Sequence, residues 1–143
     1  MIEQRVKSEE EMLDFGRKLA KGLVAPVVIE LVGDVGAGKT TLARGIAEGL
    51  GVKEPVTSPS FTISKGYRFS GGDLVHYDFY RLGDPGLMSE DLLENMTDTQ
   101  TITVVEWADS VAEILPEKHR KFEILLNEDG SRTIREIEKG KCI

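Results

Sequence analysis

Val27-Val28-Ile29-Glu30-Leu31-Val32 runs without a break into Gly33-Asp34-Val35-Gly36-Ala37-Gly38-Lys39-Thr40, and these two segments decide how the chain is read. The first is short, β-branched and mostly apolar, the pattern of a strand buried on both faces. The second fits the phosphate-binding P-loop pattern G-x-x-x-x-G-K-[ST] without a mismatch. Its glycines permit backbone conformations closed to other residues, so that successive N–H groups can turn inward toward phosphate oxygens. Leu42, Ala43, Ile46, Ala47 and Leu50 then recur at helical spacing, with Gly49 and Gly51 at the end of the run. A helix beginning there adds the positive end of its dipole to the loop. Lys39 is expected to reach the β- and γ-phosphates of a nucleotide and the Thr40 hydroxyl to bind Mg²⁺. The plainer alternative is a glycine-rich strand–helix turn with no ligand.

Upstream, Ser8-Glu9-Glu10-Glu11 has the form of a capping box, with Ser8 capping a helix and Glu11 reaching back to it. Met12, Phe15, Gly16, Leu19, Ala20 and Leu23 continue that helix on one face, closing near Gly22, and Pro26 ends it. Downstream, Phe61–Phe69 and Leu74–Tyr80 flank Gly71-Gly72-Asp73 as an antiparallel hairpin. A helix is expected around Ser89–Met96, a buried strand at Thr101–Val105, and a short helix capped by Asp109 and stopped by Pro116. Phe122–Leu126 and Thr133–Ile137 form a last strand pair turned at Asp129-Gly130. Strands alternating with helices predict an α/β fold in three layers, a mainly parallel sheet with an added antiparallel hairpin.

The 143 residues predict one domain spanning 1–143. Hydrophobic residues at 40% and charged residues at 30% are those of an ordinary globular protein. The net charge of −7 supplies no global field toward nucleic acid or anionic lipid, so any contact with RNA would have to use a local patch or a partner's surface. The lone Cys142 excludes an internal disulfide and fits a reducing cytosol. The polar start and the lack of an 18-residue apolar run predict neither secretion nor a membrane span.

A P-loop nucleotidase also needs an acid at the end of a second buried strand. Ile102-Thr103-Val104-Val105-Glu106 delivers Glu106 to the carboxyl edge, where ligands of such sheets sit. Asp78 is the second acidic candidate, on one strand face with His76 and Tyr80, and Arg81 follows as a possible partner or phosphate contact. Thr57-Ser58-Pro59-Ser60 stands where P-loop switch proteins carry a hydroxyl-bearing loop sensing the γ-phosphate. Trp107, the only tryptophan, reads as a core or interface anchor. His76 has no partner at metal-ligand spacing, which argues against zinc. His119, within Glu117-Lys118-His119-Arg120, reads as solvated surface.

Together these residues resemble the TsaE family, also called YjeE, of bacterial P-loop ATPases. The resemblance rests on Gly33–Thr41 with Arg44-Gly45, on Val56–Thr62, on His76–Leu82 and on Val105-Glu106-Trp107, four blocks in the family's order. Ser60 stands where a Thr is common, and Ala108 replaces a frequent Pro. The resemblance implies a P-loop NTPase-like fold that binds ATP with Mg²⁺, hydrolyses it slowly, and works with the TsaD and TsaB proteins in threonylcarbamoyl modification of adenosine in tRNA. It implies that Asp34, Val35, Gly36, Ala37, Gly38, Lys39, Thr40 and Thr41 bind the phosphates. Thr40 and Glu106 would hold Mg²⁺, Asp78 would assist catalysis beside Lys39 and Glu106, and Thr57 and Ser58 would form a switch. Glu9 would close over the adenine side, with Gly130 and Arg132 contributing from the C-terminal hairpin.

Three other readings share the P-loop. A small-molecule or nucleotide kinase would need an arginine-bearing lid, and the chain has only 8 Arg with no Arg-rich insertion. A GTPase would need an Asn-Lys-x-Asp motif, which is absent from the sequence. A nucleotide-dependent binding module with incidental hydrolysis needs the same pocket, and partner-stimulated turnover separates it from an ATPase.

Overall fold

The computed structural model describes residues 2–57, 59, 63–80 and 86–137. The expectations for Ser58, Ser60, Phe61, Thr62, Arg81, Leu82, Gly83 and Cys142 fall outside these residues. The strands are β1 (Glu3–Val6), β2 (Val27–Val32), β3 (Ser64–Phe69), β4 (Gly72–Asp78), β5 (Thr101–Glu106), β6 (Arg120–Leu126) and β7 (Arg132–Ile137). The helices are α1 (Glu9–Ala20), α2 (Lys39–Leu50) and α3 (Leu87–Thr97), with a short 3-10 helix at Ala108–Ile114. All seven strands form one sheet in the order β1-β7-β6-β2-β5-β4-β3. The central pairs β6–β2, β2–β5 and β5–β4 are parallel. Antiparallel pairs close both margins: β3–β4 is the expected hairpin, and β6–β7 is extended by β1.

The parallel centre needs cover on both faces, and the side chains supply it. Phe15 and Leu19 of α1 and Leu42 and Ile46 of α2 pack on Ile29, Leu31, Phe122 and Ile134. On the other face Leu92 and Met96 of α3, with Val111, cover Val28, Tyr77 and Val105. Three layers follow from that alternation, each buried Leu, Ile or Phe contributing roughly 1.5–3 kcal/mol. Helices α1 and α2 meet backbone to backbone. A Cβ at Gly45 would lie 2.4 Å from the Leu13 carbonyl oxygen, and one at Gly16 would lie 2.7 Å from that of Leu42.

Local details depart from the expectations. Ser8 Oγ does accept the Glu11 N–H at 3.1 Å, but the Glu11 carboxylate accepts from the Lys7 N–H at 2.9 Å and not from Ser8. Asp109 does not cap the 3-10 helix. That element starts one residue earlier, behind Trp107 in the left-handed region at φ 56°, and no side chain caps it. Strand β1 carries no alternating hydrophobic signal, because only Val6 of its four residues is buried. His119 is not solvated surface: its Nε2 lies 2.9 Å from Glu30 Oε1, and both side chains are largely covered. Among the described residues no helix is long and apolar enough to cross a membrane.

Candidate functional site

The carboxyl ends of β2, β5 and β4 lie side by side, since Leu31 pairs with Glu106 and Glu106 with Asp78. The chain leaves β2 through residues 33–38 and enters α2. Gly36 and Gly38 take φ values of 83° and 111°, which favour glycine, and a Cβ at Gly38 would press to 3.0 Å from the terminal methyl of Met12. The first helical bond of α2 is Leu42 N–H to Gly38 O. The amides of Lys39, Thr40 and Thr41 therefore have no carbonyl of their own helix to donate to. They offer hydrogen bonds and positive potential at one point.

That point opens on a cavity of about 580 Å³. Lys39, Thr40, Asp78 and Glu106 line one side, with Tyr80 and Trp107 beside them; Ser8, Glu9, Met12 and Arg132 line the other. Lys39 is nearly covered, and its Nζ donates to the carbonyls of Gly33 at 2.5 Å and Asp34 at 3.0 Å. The same ammonium sits 4.2 Å from the Trp107 ring centroid, and Tyr80 packs on Trp107 at 4.7 Å between centroids. Burial pushes the Lys39 ammonium below the ordinary lysine range, against the pull of Glu106, Asp78 and Asp34. Burial also raises the Asp78 carboxyl, the nearby Glu106 adds to the rise, and the Tyr80 N–H donated to Asp78 Oδ1 at 2.9 Å opposes it. Glu106 is 2% exposed, and His76 Nε2 lies 2.5 Å from its Oε2. Arg132 reaches across from β7 to donate to the Gly36 carbonyl at 3.1 Å, while its buried Nε has no protein partner among the described residues.

These groups fit a nucleotide carrying a hard cation. The volume lies within the ~300–1,000 Å³ of small-molecule sites. Unused helix amides, a buried ammonium and an orphaned guanidinium N–H all await an anionic or acceptor-rich ligand. The Thr40 hydroxyl and the Asp78 and Glu106 carboxylates are oxygen donors of the kind Mg²⁺ takes. Among the described residues no three His, Cys, Asp or Glu converge to hold a metal alone. A cation there would complete its shell with water and phosphate oxygens.

The structure brings together Glu9, Val35, Gly36, Gly38, Lys39, Thr40, Thr41, Asp78, Glu106 and Arg132 at this cavity. Asp34 and Ala37 line a separate cavity of about 370 Å³ on the far side of the loop. Thr57 lines neither, its N–H donating to Tyr67 Oη at 3.3 Å, and Gly130 lies in the β6–β7 turn at φ 87°. Ser8, Met12, Tyr80 and Trp107 are wall residues that sequence reasoning had assigned to a cap, a core stripe, a strand face and an anchor. Only the adjacency of Trp107 to Glu106 hinted at its place.

Residues 6–135 match the family described as threonylcarbamoyl adenosine biosynthesis protein TsaE. The tRNA threonylcarbamoyladenosine biosynthesis protein TsaE of Haemophilus influenzae is 36% identical over 142 residues, covering 96% of this chain and 87% of that one. The protein of the same name from Streptomyces coelicolor is 43% identical over 115 residues, covering 79% and 78%. A crystal structure of YdiB from Bacillus subtilis superposes with a TM-score of 0.78 at 33% identity, covering 93% of this chain and 82% of that one.

Proposed function

The chain belongs to the TsaE family, and on that premise we propose that it is a Mg²⁺-dependent ATPase serving threonylcarbamoyl modification of adenosine in tRNA. It acts in the cytoplasm, as a single domain, with TsaD and TsaB as its protein partners. The observation that carries this reading is the convergence of a P-loop, a buried lysine and two strand-end carboxylates on one cavity.

The nucleotide seats its phosphates on the loop and on the first amides of α2. Lys39 exchanges the Gly33 and Asp34 carbonyls for phosphate oxygens, a change from neutral to charged acceptors. Thr40 and Glu106 hold Mg²⁺, which when bound offsets phosphate charge. Asp78 orients the attacking water and takes its proton; its upward-shifted carboxyl makes it a better base than an exposed aspartate. Ser8, Glu9, Met12 and Arg132 form the adenine-side wall, and Thr57 and Ser58 belong to a nucleotide-sensing switch. With a net charge of −7, the chain contributes through its partners rather than by gripping tRNA.

The test is ATP turnover by the pure protein, alone and with TsaD and TsaB added. Slow turnover alone that rises on addition of the pair is the expected result. Tight ATP binding with no response to the pair, or phosphate transfer to a small acceptor, overturns the reading.

A further inference from the structure

His76 and Glu106 are both almost wholly covered, with side chains 1% and 3% exposed. They stand on adjacent parallel strands and on the same face of the sheet: His76 pairs with Val104 and Asp78 with Glu106. The imidazole thus lies two residue pairs deeper than the acid, and its Nε2 meets Glu106 Oε2 at 2.5 Å. With Glu106 ionised, the form that holds a cation, its oxygen accepts and Nε2 is the donor of this bond. The other ring nitrogen, Nδ1, is buried with no partner among the described residues. Leaving a buried nitrogen unsatisfied costs stability, and an apolar side chain in a β-strand facing this core would avoid it. A cost carried beside a cavity-lining carboxylate calls for a compensating role.

We propose that His76 is a positioning residue: by holding Oε2 from behind, it presents the Glu106 carboxylate to the cation that accompanies the nucleotide. The inference rests on the reading of Glu106 given above. Two features of the site support it. Glu106 lines the cavity although it is 2% exposed, so only a fixed rotamer can offer its remaining oxygen there. Lys39 donates its hydrogen bonds to the Gly33 and Asp34 carbonyls, although Glu106 is close enough to act on its charge. With His76 as its own partner, Glu106 is not drawn into a closed ion pair with Lys39, which holds only neutral acceptors that a phosphate can displace. Hydrogen-bond partners behind metal-binding groups are typically worth about 10- to 100-fold in metal affinity.

The experiment compares wild type, His76→Phe and His76→Gln. Phe keeps the ring and loses the donor, whereas Gln restores an N–H near the position of Nε2. A fluorescent ATP analogue is titrated first without metal and then at rising Mg²⁺, and thermal melts report folding. The expected result is a Mg²⁺ midpoint about tenfold or more higher for Phe, metal-free nucleotide affinity unchanged, and substantial recovery in Gln. A Phe variant with a wild-type Mg²⁺ midpoint overturns the inference. So does a folded Gln variant whose midpoint is raised while its metal-free binding is equally weakened, since that pattern reports general damage. If Phe does not fold, the Gln variant alone decides: a midpoint near wild type supports positioning by the N–H, and a large rise opposes it. If wild type itself binds nucleotide without regard to Mg²⁺, the metal role of Glu106 fails first and takes this inference with it.

Discussion

Lys39 lies over Trp107, its Nζ 4.2 Å from the indole centroid, while donating to the two carbonyls at the start of the loop. The ammonium is thus fully occupied by protein groups before any ligand arrives. Cation–π contact and two neutral acceptors hold it in place, and phosphate oxygens are stronger acceptors than either.

Nucleotide entry therefore moves the charge off the ring, and Trp107 is the only tryptophan in the chain. Titration with ATP should change the intrinsic tryptophan emission in a saturable way. In Lys39→Ala that response should vanish and nucleotide affinity should fall at least about tenfold, since charged hydrogen bonds of ~1.5–3 kcal/mol are lost. Fluorescence and calorimetric titrations check both, and wild-type affinity in the variant refutes the role of Lys39.

Asp78 is raised chiefly by burial and accepts the Tyr80 N–H, so it is held in place by backbone rather than by a cation. Asp78→Asn preserves shape and that acceptor but removes the base. Steady-state turnover should drop by about 10²–10⁴, with nucleotide affinity close to wild type. A loss confined to affinity would count against the assignment.

His119 donates from Nε2 to Glu30 and from Nδ1 to the Pro116 carbonyl at 2.6 Å, so both nitrogens carry protons in this arrangement. The bond to Glu30 raises its affinity for the proton above that of free imidazole. A raised folded value means the stabilisation is complete below the ordinary value, near ~6.5, and disappears as pH climbs through the raised one. Thermal midpoints should fall across that window, and His119→Gln should flatten the slope. A slope that survives in the variant belongs to another group.

The contact of α1 with α2 at Gly45 leaves no room for a methyl, with the Leu13 carbonyl 2.4 Å from the position of a Cβ. Gly45→Ala gains about 1 kcal/mol of helix propensity but must separate two backbones at a cost of roughly 1–3 kcal/mol. Urea denaturation should show a net loss, and a more stable variant would falsify the reading of this packing.

The loop at residues 33–40 could be read from the chain because its chemistry is contiguous: strand, glycines, lysine and hydroxyl follow one another. The buried central strands were equally plain, their apolar runs having no other use. Strand β1 was hidden because Glu3, Gln4 and Arg5 are exposed and polar, and only pairing with β7 makes them a strand. The His119–Glu30 bond joins residues 89 apart, a distance no local pattern spans. Asp34 and Ala37 line the smaller cavity, since neighbours in a tight loop can face different cavities, and no local pattern foretells which. Trp107, read as a core or interface anchor, does pack against the core, and its place over Lys39 as well was beyond what a lone tryptophan could show.

Strands β1 and β7 pair with Val6 opposite Arg132, so the cavity wall opposite Asp78 and Glu106 is built from residues far apart in the order of synthesis. A ribosome makes the loop, its lysine and both acids well before it makes Arg132. Until β7 emerges there is nothing for β1 to pair with. ATP stabilises only a conformation it can occupy. It therefore meets a finished receptor only once β7 has joined the sheet, and earlier folding rests on the core alone.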